Sequence, residues 1–243
     1  MLKRLYFVCA YAASWLVFGL GAVALNFYCL ALLLLRGRRR SRPAVREAIR
    51  RLFLCWIGWL RLMGLVRVNW SGFDSLSLTR PTVCVANHPG LLDAVFLLSR
   101  LPDTVCIFKR GMLRNPFLAP PALMGGYTWS MGGPDFVRAA VGEISAGRNL
   151  LIFPEGTRTA AGAALNPLKP GFALIASRAG APIQVIVIRS SRDLLPRGRA
   201  WWSMPQFPAT VDIRVDCRLP APSGDESRAT ASLVESRLRS CLQ

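Results

Sequence analysis

Apolar positions dominate the start of the chain and later break into short blocks. Leu5 to Leu35 form 31 consecutive uncharged positions. That exceeds the ~20 residues a helix needs to cross a bilayer; as one straight helix the stretch would measure about 46 Å against a hydrocarbon core of ~30 Å. Two geometries accommodate the excess. One is a tilted or kinked single span bending near Gly19-Leu20-Gly21; the other is a re-entrant pair of short helices with both ends on one face. A cleaved secretory signal carries an apolar segment of only ~7–15 residues, and a soluble core helix seldom runs this long without charge. Val45 to Val68 follows, with Arg46, Glu47, Arg50 and Arg51 ahead of Phe53, Trp56, Ile57, Trp59, Leu60, Met63 and Leu65. This stretch reads as an interfacial amphipathic helix with tryptophans at headgroup depth; because its apolar face is wide, a core helix of the next domain is the alternative.

From residue 80 on, the period changes. Thr82–Ala86, Thr104–Phe108, Leu150–Phe153 and Ile183–Ile188 are short apolar runs, rich in β-branched residues and bounded by turn residues, the pattern of buried strands. Helical spacing fills the intervals at Pro89–Arg100, Met112–Met124, Pro134–Ala146 and Pro170–Ala179, and again at Glu226–Leu242. Thr210–Cys217 alternates apolar and polar and predicts a half-exposed edge strand. Arg192–Pro208 is a Pro-, Trp- and Arg-rich loop, either facing a membrane through Trp201, Trp202 and Phe207 or simply packed. The expected class is α/β: a mixed central sheet flanked by helices, preceded by an N-terminal membrane-embedded helix or helical hairpin. The expected divisions are an anchor with a basic flank at 1–42, an interfacial helix at 43–70 and an α/β domain at 71–243.

Charge sharpens this picture. The chain carries 31 basic and 13 acidic groups, a formal +18. Residues 1–80 hold 13 basic and 2 acidic groups, a net of +11, and residues 81–243 hold 18 and 11, a net of +7. The densest run, Arg36, Arg38, Arg39, Arg40, Arg42, Arg46, Arg50 and Arg51, follows directly on the apolar stretch. There it suits anionic lipid headgroups at ~1 kcal/mol per arginine better than nucleic acid, for which no binding module is present. Lys3 and Arg4 before the stretch and the arginines after it favour the cytoplasmic side for both ends, and for the following domain. In a bacterium that is the inner face of the plasma membrane. The seven cysteines are scattered, form no C-x-x-C pair and accompany a single histidine, so neither a disulfide scaffold nor a zinc site is expected. They read as buried small hydrophobes in a reducing compartment, and no metal is expected.

The strongest chemical signal is Asn87-His88-Pro89-Gly90-Leu91-Leu92-Asp93, where a strand gives way to a helix. Pro89 suits a first helical turn, which would place His88 at the helix start and Asp93 one turn in. A carboxylate there can fix the imidazole tautomer through one ring nitrogen and leave the other to take a proton from a hydroxyl. The second signal is Pro154-Glu155-Gly156-Thr157-Arg158-Thr159 at the end of another strand. Gly156 permits close backbone approach, Arg158 can grip a phosphate and Glu155 can bond a substrate hydroxyl. In open α/β sheets ligands gather at the carboxyl ends of strands, where both motifs lie.

NHPGLLD paired with FPEGTRT about sixty residues later resembles the glycerolipid acyltransferases, typified by lysophosphatidic acid acyltransferase. Gly162, Leu165, Lys169, Gly171 and Ala176 are similar to that family's third block, and Ala181-Pro182-Ile183 to its fourth; the likeness covers roughly residues 45–220. The resemblance implies transfer of a fatty acyl group from acyl-CoA or acyl-ACP to a lipid hydroxyl. His88 would act as general base and Asp93 would orient it, with no acyl-enzyme intermediate and no cofactor beyond the thioester co-substrate. It also implies acceptor binding by Asn87, Lys109, Arg110, Glu155, Gly156, Thr157 and Arg158. The implied partners are membrane lipids and an acyl carrier protein or CoA thioester, not nucleic acid. In one respect the chain departs from the family: the second block ordinarily continues into a segment with an arginine for the acceptor phosphate. Here Lys109-Arg110 is followed by Gly125-Gly126-Tyr127-Thr128-Trp129-Ser130-Met131-Gly132-Gly133, and Arg110, Arg114 and Arg138 are the candidate substitutes. Two alternatives stay open: an acyltransferase for a lyso-lipid with another head group, such as an amino-acid lipid or glycolipid, and a membrane-anchored protein that binds anionic lipid or nucleic acid.

Overall fold

The computed structural model describes all residues except Ser77, Met131, Gly132, Arg192, Asp193, Pro196 and Arg197. Parts of two segments considered above, 125–133 and 192–208, therefore lie outside the described residues.

The N-terminal helix α1 (Leu2–Leu62) doubles back at Gly37, whose φ of 71° and ψ of 163° belong to a region open essentially to glycine alone. The two arms run antiparallel. Ser41 Oγ donates to Leu32 O at 3.1 Å, Phe53 stacks on Phe18, and Trp56 Nε1 donates to Ser14 O at 2.8 Å. The bend expected near Gly19-Leu20-Gly21 is absent, because the chain uses Gly21 for approach rather than for turning. A Cβ on Gly21 would stand 2.5 Å from Leu52 Cδ1 on the facing arm. Nor is 43–70 one helix: α1 ends at Leu62, and strand β1 (Val66–Ser71) belongs to the sheet. Trp56, Ile57 and Leu60 are buried. The second arm packs on the α/β domain, and the first arm packs on the second. By length and composition α1 is apolar enough to cross a membrane, yet only 22 % of its most apolar window is buried, unlike a soluble core helix.

The remaining elements are β2 (Val83–Ala86), α2 (Asp93–Arg100), β3 (Thr104–Lys109), α3 (Ala119–Gly125), β4 (Thr128–Ser130), α4 (Gly133–Ser145), β5 (Asn149–Ile152), α5 (Gly171–Ala179), β6 (Ile183–Ser190), β7 (Ala209–Leu219) and α6 (Ser227–Leu242). They build a seven-stranded sheet in the order β1-β7-β6-β2-β5-β3-β4. Among the described residues only the β6–β7 pair is antiparallel. α2 and α3 pack against α1, and α5 packs against both α4 and α6.

Several expectations shift. β7 is not an edge strand, since β1 and β6 flank it; its alternation reflects one thinly covered face. Met112–Met124 divides into a 3-10 turn (Arg110–Arg114) and α3, with Pro116 between them lacking the N–H a continuous helix needs. α2 starts at Asp93 rather than Pro89, because Asp93 Oδ2 captures Gly90 N at 2.8 Å and Leu194 O captures Leu91 N at 3.2 Å. Those two bonds hold 88–92 in a turn. Four cysteines are buried, but Cys9 and Cys55 are exposed. Burial pushes the Cys84 and Cys106 thiols up to about 12, so they are inert packing groups.

Candidate active site

The topology places both motifs on one edge of the sheet. β2 and β5 are parallel neighbours, with Val85 opposite Ile152, so the chain leaves both strands on the same side. β3 lies beyond β5 and β6 beyond β2, and their carboxyl ends point the same way. Four strand ends thus lie along one edge, the expected ligand position in such a sheet.

His88 lies at this edge. Its Nδ1 is 2.8 Å from Asp93 Oδ2, and its side chain is 19 % exposed against 5 % for Asp93. The ring stacks on Phe153 with centroids 4.2 Å apart and planes at 22°. The main chain of His88 is held on both sides by the second motif. Its N–H donates to Glu155 Oε1 at 2.7 Å, and its carbonyl accepts Thr159 N at 2.8 Å. Burial raises the Asp93 carboxyl above the ordinary carboxylate range, while the bonds from His88 and Gly90 pull it back down. An ionised Asp93 can only accept, so it sets the proton on Nδ1 and leaves Nε2 as a base.

The other predicted residues divide into two sets. Lys109, at the end of β3, donates from Nζ to Thr157 Oγ1 at 3.0 Å. Gly156 has φ of 68°, and Lys169 Nζ lies 3.1 Å from where its Cβ would be. Arg158 Nη1 donates to Leu195 O at 2.7 Å; burial lowers its pKa, opposed by the charge of Asp93. Lys109, Lys169 and Arg158 therefore gather around one turn. Asn87 and Glu155 are bonded within the fold. The Asn87 amide exchanges two 2.8 Å bonds with the main chain of Ile188, and the residue is buried. Glu155 is buried and accepts from His88 N, from Thr159 Oγ1 and from Asn166 N at 2.9 Å. It ties the two motifs together. Arg110 and Arg114 are exposed in the 3-10 turn, and Arg138 pairs with Asp135 on the surface.

Phe153, Asn166, Lys169 and Leu195 complete this geometry although none was singled out as a site residue. Lys169 carried a usable signal, its place in the third block. Nothing in the sequence marks Leu195. Among the described residues no cluster of His, Cys, Asp and Glu could hold a metal ion.

Comparison with known proteins accords with this geometry. The chain belongs to the Acyltransferase family, whose model matches residues 67–189. Among curated relatives it is 30 % identical over 138 residues to the chloroplastic 1-acyl-sn-glycerol-3-phosphate acyltransferase BAT2 of Brassica napus, covering 54 % of this chain and 40 % of that protein. It is 30 % identical over 133 residues to the Helicobacter pylori 1-acyl-sn-glycerol-3-phosphate acyltransferase, covering 52 % and 56 %. It is 36 % identical over 129 residues to the human beta form, covering 47 % and 44 %. The matched region spans about half the length of these relatives. The fold is that of the 1-acyl-sn-glycerophosphate (LPA) acyltransferase PlsC from Thermotoga maritima, with a TM-score of 0.78 at 20 % identity over 99 % of this chain and 95 % of that one.

Proposed function

We propose that this protein transfers a fatty acyl group from an acyl-CoA or acyl-ACP thioester to the free hydroxyl of 1-acylglycerol-3-phosphate at a membrane surface. The observation that carries this reading is the His88–Asp93 pair, 2.8 Å apart, facing a turn ringed by Lys109, Arg158 and Lys169. His88 Nε2 takes the proton as the acceptor oxygen attacks the thioester carbonyl carbon, and Asp93 stabilises the imidazolium. The tetrahedral intermediate collapses, the C–S bond breaks and His88 returns the proton to the leaving thiolate. The cations hold the acceptor phosphate, Arg158 through its fork and the lysines as point charges. Lys109 and Lys169 thereby replace the arginine missing from the second block.

The hairpin supports a seat along one leaflet rather than a span. The first arm is bonded to the domain well apart along its length, through Tyr11 Oη to Trp201 O and through Asn26 Nδ2 to Phe117 O at 2.9 Å. Its outer face, with Leu5, Leu16, Leu20, Phe27 and Leu34 exposed, runs alongside the domain and suits the acyl region of one leaflet. Lys3, Arg4 and the arginines around Gly37 favour the cytoplasmic leaflet.

The test is turnover by the full chain on vesicles, with acyl-CoA and acyl-ACP as donors and a panel of lyso-lipids with and without a phosphate monoester. We expect turnover only with the phosphate monoester. Equal turnover of phosphate-free acceptors would instead support the second reading, a different lyso-lipid head group, which the arginine-free stretch of the second block favours.

A further inference from the structure

We propose that Trp201 and Trp202 form a second bilayer contact and that Leu194 and Leu195 relay this contact to the catalytic turn. The proposal rests on the membrane-surface acyltransferase reading above. Two consecutive carbonyls hold the site. Leu194 O accepts Leu91 N at 3.2 Å, and Leu195 O accepts Arg158 Nη1 at 2.7 Å. The fit is close: a Cβ on Gly90 would stand 2.6 Å from Leu194 O. Leu195 achieves this with φ of 57°, costly for a non-glycine residue, and with its side chain fully buried. Such a conformation persists only where the surroundings over-determine it.

The surroundings lead to the hairpin. Tyr11, Trp15, Leu92, Leu194, Leu195 and Phe207 enclose one crevice of about 10 Å³, with room for no more than a single water. Leu92 precedes Asp93, so displacing this loop displaces the residue that orients His88. On the outer side, the Trp201 ring lies 5.2 Å from Trp15, and Tyr11 Oη donates to Trp201 O. Trp201 and Trp202 are 50 % and 68 % exposed, next to the exposed Arg199. They stand beside the first arm at Tyr11 and Trp15. Tryptophan beside arginine at the edge of an apolar surface suits the headgroup layer of an anionic bilayer. In water the tryptophans stand open. In a bilayer they are buried, which favours the conformer whose Leu194 and Leu195 carbonyls hold the catalytic turn and Arg158. Leu194 and Leu195 are positioning residues.

The experiment separates this relay from mere delivery of a membrane-borne substrate. The full chain is assayed with acyl-CoA and a short-chain lysophosphatidic acid kept monomeric in water. Substrate-free vesicles of phosphatidylethanolamine and phosphatidylglycerol are then added. The native protein should accelerate by about fivefold or more, with a lower acceptor KM, as its competent conformer is populated. A Trp201→Ser/Trp202→Ser variant should still float with the vesicles through the first arm, yet gain less than about twofold. Equal acceleration of the variant, no acceleration of the native protein, or loss of flotation by the variant would each overturn the relay. A second measurement needs no turnover: lipids brominated near the headgroup should quench the native protein more than a Trp201→Phe/Trp202→Phe variant. Unchanged quenching overturns the contact. If the native protein acylates no acceptor under any condition, the acyltransferase reading fails instead, and the quenching still decides the contact.

Discussion

Asp93 Oδ2 serves two donors at once, His88 Nδ1 and Gly90 N, each at 2.8 Å. One carboxylate therefore both builds the turn and orients the imidazole. Its burial has a consequence for stability. Because its pKa is raised in the folded protein, the unfolded chain ionises first as pH rises. Its stability contribution is complete below the ordinary carboxylate pKa and is lost as pH climbs through the raised value. Asp93→Asn is thus expected to lose activity by on the order of 10³–10⁴-fold. The stability of the native protein relative to that variant should fall as pH climbs above the ordinary carboxylate range, as followed by denaturant titration. Glu155 gives a sharper contrast. As a clamp on His88 N, Thr159 and Asn166, its replacement by Gln puts an amide NH2 against a donor, which costs about 1–3 kcal/mol. Glu155→Gln should lower the melting temperature and kcat and leave acceptor KM nearly unchanged. A selective rise in KM would return Glu155 to the acceptor-binding role that the motif alone suggests.

Among the elements, α1 shows where the sequence was legible and where it was not. Its apolar length was plain, and a hairpin was one of two geometries allowed. The turning point was not legible, because Gly19, Gly21 and Gly37 carry the same local signal. Only the facing arm distinguishes them: Gly21 meets Leu52, whereas a Cβ on Gly37 would meet nothing but a forbidden backbone angle. Gly37→Ala should therefore destabilise the protein by about 1–3 kcal/mol through backbone strain alone, measured by thermal or denaturant melting. Buried strands such as Val83–Ala86 and Ile183–Ser190 were readable from apolar runs. β1 was masked by the apolar residues before it, and β4 has only three residues. The site was half legible. Motifs announced His88, Asp93, Lys109 and Arg158. The roles of Asn87 and Glu155 depend on the partners the sheet brings to them, Ile188 and His88, and no local pattern encodes those.

At the scale of the whole molecule, the hairpin and the site belong to one design. The second arm is tied to the domain by Arg46, whose buried guanidinium reaches Asp103 at 2.6 Å and Gly125 O at 2.9 Å. In the proposed membrane seat, the outer face of the first arm sets how the strand ends meet the bilayer. A charge on that face should cost membrane affinity without costing fold. Leu20→Asp and Phe27→Asp, both at exposed positions, should each lower vesicle partitioning by about tenfold or more while leaving the melting temperature near native. The central claim is that one imidazole, braced by Asp93 beside a cationic turn, deprotonates a lipid hydroxyl next to a thioester. The most direct measurement is thiol release from acyl-CoA with lysophosphatidic acid on vesicles, comparing the native chain with a folded His88→Ala variant. The account predicts robust release by the native chain and a loss on the order of 10³-fold or more in the variant. Release by His88→Ala within about tenfold of native would contradict it.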